Sequence, residues 1–130
     1  MREQAASSAK LVGLEGHLLT PAGDLGHNQK RFMEIARALA LNPALILLDE
    51  PGAGLSGEEL LFLRKLLSRI RDMNISILLI EHHVEFVIDV SDVITVLNYG
   101  VKIAEGPPAE ISGNPAVLEA YLGFSEEADA

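Results

Sequence analysis

The chain contains no cysteine. That excludes a disulfide framework and any thiol chemistry, and it fits a reducing, cytosolic compartment. It also lacks any apolar run approaching the ~20 residues needed to span a bilayer, although docking on an embedded partner stays open. No secretory signal is visible: the opening residues Met1-Arg2-Glu3-Gln4 are polar, with no apolar stretch behind them. Cations are scarce. The chain has 10 lysines and arginines against 19 aspartates and glutamates, a net charge of −9 and a pI near 4.8. Such a balance argues against nucleic acid or an anionic membrane surface as a direct partner. Apolar residues are plentiful, at 48% of 130. That is enough to build a core for one domain, or part of one, with disorder confined to the ends.

The chain is organised around Ala44-Leu45-Ile46-Leu47-Leu48, which runs into Asp49-Glu50-Pro51. An unbroken apolar run without polar alternation predicts a strand buried on both faces, as in a parallel sheet. The proline stops the ladder. Asp49 and Glu50 then leave the sheet at the strand's carboxyl end, the edge where open α/β sheets bind ligands. Two carboxylates there suit a divalent cation and a general base. The plainer alternative is a solvated acidic turn.

Residues 1–12 lean helical, and Gly13, Gly16, Pro21 and Gly23 break the next stretch into turns. Asp24 or Asn28 could cap the segment that follows. Gln29 to Leu41 reads as an amphipathic helix, stopped by Asn42-Pro43. Ser56-Gly57-Glu58-Glu59 has capping-box spacing. The helix behind it sets Leu60, Leu63, Leu67 and Ile70 on one stripe, with Leu66 flanking, and Asn74 ends it. Ile75 to Ile80 is a second buried strand, ending in Glu81-His82-His83. A short helix, Val84 to Val90, leads to a strand, Val93 to Leu97. Asn98-Tyr99-Gly100 then turns the chain into a hairpin partner, Val101 to Ala104. Two short helices follow, near Ala109 to Ile111 and Pro115 to Leu122, before an acidic tail. This alternation of strands and helices is that of a doubly wound α/β fold, with the first two strands parallel. Asp49-Glu50 and Glu81-His82 would then emerge at one sheet edge.

An aspartate at a strand's end can hold Mg²⁺ through its water shell, a glutamate beside it can activate a water, and a histidine can hydrogen-bond a γ-phosphate. That is the division of labour in phosphoryl transfer. Leu45-Ile46-Leu47-Leu48-Asp49-Glu50-Pro51 resembles the Walker B motif of ABC-transporter ATPases. The resemblance implies that Asp49 is the Mg²⁺-site aspartate, Glu50 the catalytic glutamate and His82 the switch histidine. Ala53-Gly54-Leu55-Ser56 matches the D-loop, and Leu25-Gly26-His27-Asn28-Gln29 with the following helix matches the signature. Several stretches resemble the ATP-binding subunits of branched-chain amino-acid importers. They include Val12-Gly13-Leu14, Pro21-Ala22-Gly23-Asp24-Leu25, Ile80-Glu81-His82, Ala104-Glu105-Gly106-Pro107, Asn114-Pro115 and the run from Glu119 to Gly123.

The match departs from the family in two places. None of Lys10, Lys30, Lys65 and Lys102 follows a glycine, so no Walker A Gly-Lys-Ser/Thr cradle is present. The chain therefore looks like the second half of a nucleotide-binding domain, beginning just before the signature. The signature itself is altered: Gly26 stands where the family has serine, Asn28 where it has glycine, and Gln29 remains. Asn28 could still take the left-handed turn conformation, and a plain helix-entry turn is the alternative. Ser56 stands where the D-loop has an acidic or amide residue. His83, His17 and His27 read as surface residues.

The expectation is an α/β chain with a partial P-loop NTPase (ABC-type) fold. It comprises a mostly parallel sheet with flanking helices and a small C-terminal hairpin and helices. Residues 11–42 would end a helical subdomain, 43–97 form the Walker B to switch-histidine core, 98–123 the C-terminal hairpin and helices, and 124–130 an acidic tail. The resemblance implies an ATPase subunit using ATP and Mg²⁺ once the missing half of the site is supplied, inactive as this chain alone. Gly26, Asn28, Gln29 and Ser56 would bind nucleotide. Partners would be ABC permease subunits and a second ATP-binding subunit, at the inner face of the cell membrane. The alternative is a truncated remnant that binds no nucleotide and forms homo-oligomers. Half a doubly wound sheet leaves an exposed edge and an uncovered apolar face.

Overall fold

Residues 2–121 are described by the computed structural model, and they fall into two units, one up to Ile80 and one from Glu81. The acidic tail and the expected end of the last helix at Leu122 lie outside the described residues.

The first unit opens with α1 (Arg2–Leu11), which Gly13 ends at φ +78°. Two short 3₁₀ turns, Glu15–His17 and Ala22–Asp24, occupy the glycine- and proline-punctuated stretch as its composition predicts. Helix α2 (His27–Leu39) buries Phe32, Ile35, Ala36 and Leu39. Its cap is neither Asp24 nor Asn28 but Gly26, whose backbone is extended. Asn42, at φ +49°, turns the chain out before Pro43.

Strand β1 (Leu45–Asp49) follows, then helix α3 (Gly57–Asp72), whose N-cap Ser56 accepts a hydrogen bond from the Glu59 amide at 3.2 Å. Leu63, Leu66, Leu67 and Ile70 form the buried stripe of α3, each contributing about 1.5–3 kcal/mol by burial. Phe62 meets Phe32 edge to face, with ring centroids 5.3 Å apart, and so joins α3 to α2. A Cβ on Gly13 would come within 3.3 Å of that Phe62 ring. Asn74, at φ +60°, closes α3 where glycine is the usual left-handed residue.

Strand β2 (Ser76–Ile80) runs parallel to β1, with Leu47 opposite Leu78 and Asp49 opposite Ile80. The expectation of burial on both faces is not met. Ile46 and Leu48 are buried, but Leu45, Leu47, Leu78 and Ile80 are 52%, 68%, 56% and 57% exposed. Alternation along paired strands puts these four on one face. The apolar run is unbroken because both faces are aliphatic, yet among the described residues only one of them is covered.

The second unit contains α4 (Val84–Val90), β3 (Ile94–Asn98), β4 (Val101–Gly106), α5 (Pro108–Ser112) and α6 (Pro115–Tyr121). β3 and β4 form the predicted antiparallel hairpin. Its two-residue turn has φ +48° at Tyr99 and +76° at Gly100, the paired positive values of a type I′ turn. Val96 faces Ala104 and Leu97 faces Lys102, so Ile103 is an extra residue that bulges β4. Ile94, Val96, Ile111 and Val117 make the core, flanked by Val87, Ile88, Ile103, Ala104 and Tyr121. Tyr121 donates its hydroxyl proton to the Leu97 carbonyl at 2.6 Å, anchoring α6 on the hairpin. Lys102 pairs with Glu105 at 2.7 Å, and this hydrogen bond and charge hold the Glu105 carboxyl below its ordinary pKa.

Candidate functional site at the end of strand β1

Asp49 is the last residue of β1 and Glu50 the first beyond it, and both are exposed. The Glu50 amide donates to the Ile80 carbonyl at 2.7 Å, carrying the strand pairing one step past the ladder. Its backbone then departs from the strand at φ +46°. A non-glycine residue in this left-handed region costs on the order of 1–3 kcal/mol and persists where its surroundings enforce it. The loop continues as two tight turns, with Ala53 N–H on the Glu50 carbonyl and Leu55 N–H on the Gly52 carbonyl, both at 3.2 Å. The predicted pair of carboxylates at a strand's carboxyl end is thus in place.

Carboxylate oxygens are hard donors suited to Mg²⁺, which keeps several waters and takes one or two carboxylates alongside substrate phosphates. Among the described residues no three His, Cys, Asp or Glu side chains gather into a cation site. The Asp49 and Glu50 carboxylates are oxygen donors of the kind a hydrated ion takes. Asp49 is the residue that would hold it.

The signature-like residues are brought together, but with their side chains engaged inside the chain. The Gln29 side-chain oxygen accepts from the Gly26 amide at 2.8 Å, the half of a capping box open to a glycine cap. Its amide nitrogen, which can only donate, lies 3.2 Å from His17 Nε2, so that ring nitrogen is the acceptor. The other ring nitrogen, Nδ1, lies 3.5 Å from the Thr20 hydroxyl. His17 is accordingly a half-buried, partnered residue, not the surface histidine the sequence suggested. Asn28 does not adopt the left-handed conformation open to it. It lies in the first turn of α2, and its side-chain amide donates to the Glu59 carboxylate. Glu59 thereby links Asn28 to Ser56, the cap of α3.

Arg31 and Glu59 were not singled out as site residues by the sequence. Glu59 had a visible signal, its place in the capping box. Arg31 had none: its Nη1 donates to the backbone carbonyls of Pro51, at 3.3 Å, and Ala53. Residue types do not announce a side chain that grips main-chain oxygens twenty residues away.

His82 belongs to the second unit, exposed between the end of β2 and the start of α4. His83 is the N-cap of α4 and makes no side-chain capping bond, in keeping with a helix-entry role.

In backbone, the chain matches one half of an ATP-binding cassette. The structure of MJ1267, an ATP-binding cassette of an ABC transporter in its ADP conformation, aligns with a TM-score of 0.82 and 30% identity, covering 93% of this chain and 49% of that one. CbiO1 from Clostridium perfringens, part of the ABC transporter complex cbiONQ, aligns with a TM-score of 0.78 and 27% identity, over 98% and 52%. The chain therefore has the fold of part of an ABC-transporter ATPase domain.

Sequence narrows the relationship. Residues 101–123 match the family described as "Branched-chain amino acid ATP-binding cassette transporter". Over 122 residues the chain is 41% identical to the high-affinity branched-chain amino acid transport ATP-binding protein BraF of Pseudomonas aeruginosa, covering 93% of this chain and 48% of BraF. It is 40% identical, with the same coverage, to LivG of Escherichia coli. The lipopolysaccharide export ATP-binding protein LptB of Acidithiobacillus ferridurans is 34% identical over 94% and 49%. This chain is a relative of the branched-chain amino-acid ABC transporter ATP-binding proteins and resembles their C-terminal part. It spans about half the length of the curated relatives it matches.

Proposed function

We propose that this chain supplies the Walker B half of an ATP-hydrolysing subunit in an ABC importer of branched-chain amino acids. The observation that carries this reading is the exposed Asp49-Glu50 pair at the carboxyl end of β1, in a chain 40–41% identical to BraF and LivG. On this reading Asp49 holds the magnesium ion of Mg-ATP, Glu50 takes the proton of the attacking water, and His82 steadies the γ-phosphate. Bound Mg²⁺ would supply charge neutralisation at the phosphates. Gly26, Asn28, Gln29 and Ser56 would face nucleotide held by a second ATP-binding subunit. The internal engagement of Asn28 and Gln29 means they would have to exchange partners to do so. The phosphate cradle, for which the sequence has no Gly-Lys-Ser/Thr, would come from other residues of the native protein or from another chain. Permease subunits would place the assembly at the inner face of the cell membrane. The segmentation into a helical-subdomain end (11–42), a core (43–97) and a C-terminal hairpin with helices (98–123) is part of this proposal.

Calorimetric titration of the chain with Mg-ATP, with Asp49→Ala as control, tests it. No heat at millimolar ATP is expected, because half a site is present. Saturable binding that Asp49→Ala removes would refute the dependence on a second half.

The exposed face of Leu45, Leu47, Leu78 and Ile80 favours a second reading, a remnant that self-associates and binds no nucleotide. A complete subunit that hydrolyses ATP with Glu50 as base would exclude it.

A further inference from the structure

The hydrogen bonds that hold the segment carrying Glu50 include three sets. On the strand side, its amide is bonded to the Ile80 carbonyl; on the turn side, its carbonyl accepts from Ala53. Both are main-chain bonds that almost any sequence could make. The third comes from a side chain: Arg31 Nη1 donates to the Pro51 and Ala53 carbonyls, on either side of Gly52. Hydrogen bonds from a cation are roughly twice as strong as neutral ones. They also land on a loop whose first residue is in a costly left-handed conformation, one that persists only where neighbours enforce it.

We infer that Arg31 is a positioning residue for Glu50. By gripping the Pro51 and Ala53 carbonyls it keeps the loop folded back on α2, and so fixes the direction in which Glu50 leaves the sheet. Arg31 also belongs to the helix whose first turn bears Asn28 and Gln29. Helix and loop therefore move together: a ligand that displaces the start of α2 shifts Glu50, with Arg31 as the link. The planar guanidinium suits this role because it presents several donors in a fixed fork, whereas lysine offers a point charge. The significance for catalysis rests on the reading of Glu50 as the base. The grip itself does not, and it is measured without nucleotide.

The test is heteronuclear NMR on the full 130-residue chain. It would follow hydrogen exchange at the Ala53 and Leu55 amides, and the Glu50 Cα shift and amide–Hα coupling, which report φ. Arg31→Met is expected to speed exchange at Ala53 on the order of tenfold. It should also move the Glu50 shift and coupling away from left-handed values and leave the α3 amide of Leu66 unchanged. Arg31→Lys should fall between the two, a partial rescue that bulk packing alone would not produce. Unchanged Glu50 parameters and Ala53 exchange in Arg31→Met overturn the inference. A uniform rise in exchange through α3 does so too, because Arg31 would then only stabilise the unit. If Arg31→Met does not fold, Arg31→Lys decides: faster Ala53 exchange with Leu66 unchanged supports the inference, and wild-type exchange overturns it. Mg-ATP calorimetry on the wild-type chain tests the reading of Glu50 separately.

Discussion

The Asn28 side-chain amide donates to the Glu59 carboxylate across 31 positions of sequence, tying the first turn of α2 to the first turn of α3. Both side chains are half-buried, so the bond is shielded and its loss should be measurable. Asn28→Ala and Glu59→Ala are each expected to cost roughly 1 kcal/mol in urea unfolding, and the double variant less than their sum, by about 0.5–1.5 kcal/mol. Strict additivity would show that the two side chains do not cooperate in solution.

At Glu50, stability and activity should pull apart. Glycine adopts positive φ without penalty, so Glu50→Gly is expected to raise stability by up to about 1 kcal/mol. In a complete subunit, Glu50→Gln should abolish turnover while ATP still binds. Normal hydrolysis by that variant would remove Glu50 from the chemistry.

The uncovered aliphatic face predicts association of the isolated chain. Light scattering at micromolar concentration is expected to show oligomers. Placing charge at the centre of the face, with Leu47→Lys and Leu78→Lys together, should return the chain to monomer because both positions already face solvent. A wild-type chain that stays monomeric would count against self-association.

Tyr99 occupies the first position of a type I′ turn and is 90% exposed, so its ring has little packing to lose. Asparagine tolerates left-handed backbone better than tyrosine. Tyr99→Asn should therefore stabilise the hairpin by roughly 0.5–1 kcal/mol, read as a higher melting temperature.

Glu105 predicts one pH effect. Its pKa is lowered first by the hydrogen bond from Lys102 and then by that residue's charge. A depressed folded pKa means the unfolded chain takes up the proton more readily. The contribution is thus present above the ordinary carboxyl pKa and is lost as pH falls through the folded value. Lys102→Ala should return the Glu105 titration, followed by NMR, towards the ordinary range. Added salt should do so in part, because the pair is exposed.

Much of the fold could be read from residues that act locally. Ser56 capped α3, Asn74 ended it, and Tyr99-Gly100 turned the hairpin, because capping and turn chemistry involve near neighbours in sequence. The position of Asp49 and Glu50 at the end of β1 was legible for the same reason: an apolar run that meets a proline ends a strand. Exposure of Leu45 and Leu47 was not legible. An aliphatic run states what a strand could bury, not whether anything lies over it. Nor could the sequence show that Asn28 and Gln29 are satisfied by Glu59 and His17, or that Arg31 holds main-chain carbonyls. Those partners are distant in sequence and depend on the packing of α2 against the rest of its unit.

The two aliphatic faces of β2 have one more consequence. Sliding the strand by a single residue would exchange Leu78 and Ile80 for Ile77 and Leu79, side chains of almost the same size and polarity. Side-chain pattern therefore offers little resistance to such a slip. Alignment must instead be set at the strand's two ends, where Ser76 N–H meets the Ala44 carbonyl at 3.0 Å and Glu50 N–H meets the Ile80 carbonyl at 2.7 Å. The left-handed Asn74 just upstream meters out how much chain reaches the first of these bonds. An insertion or deletion between Asn74 and Ser76 would leave the composition of the sheet nearly intact and still shift the pairing that sets Asp49 against Ile80.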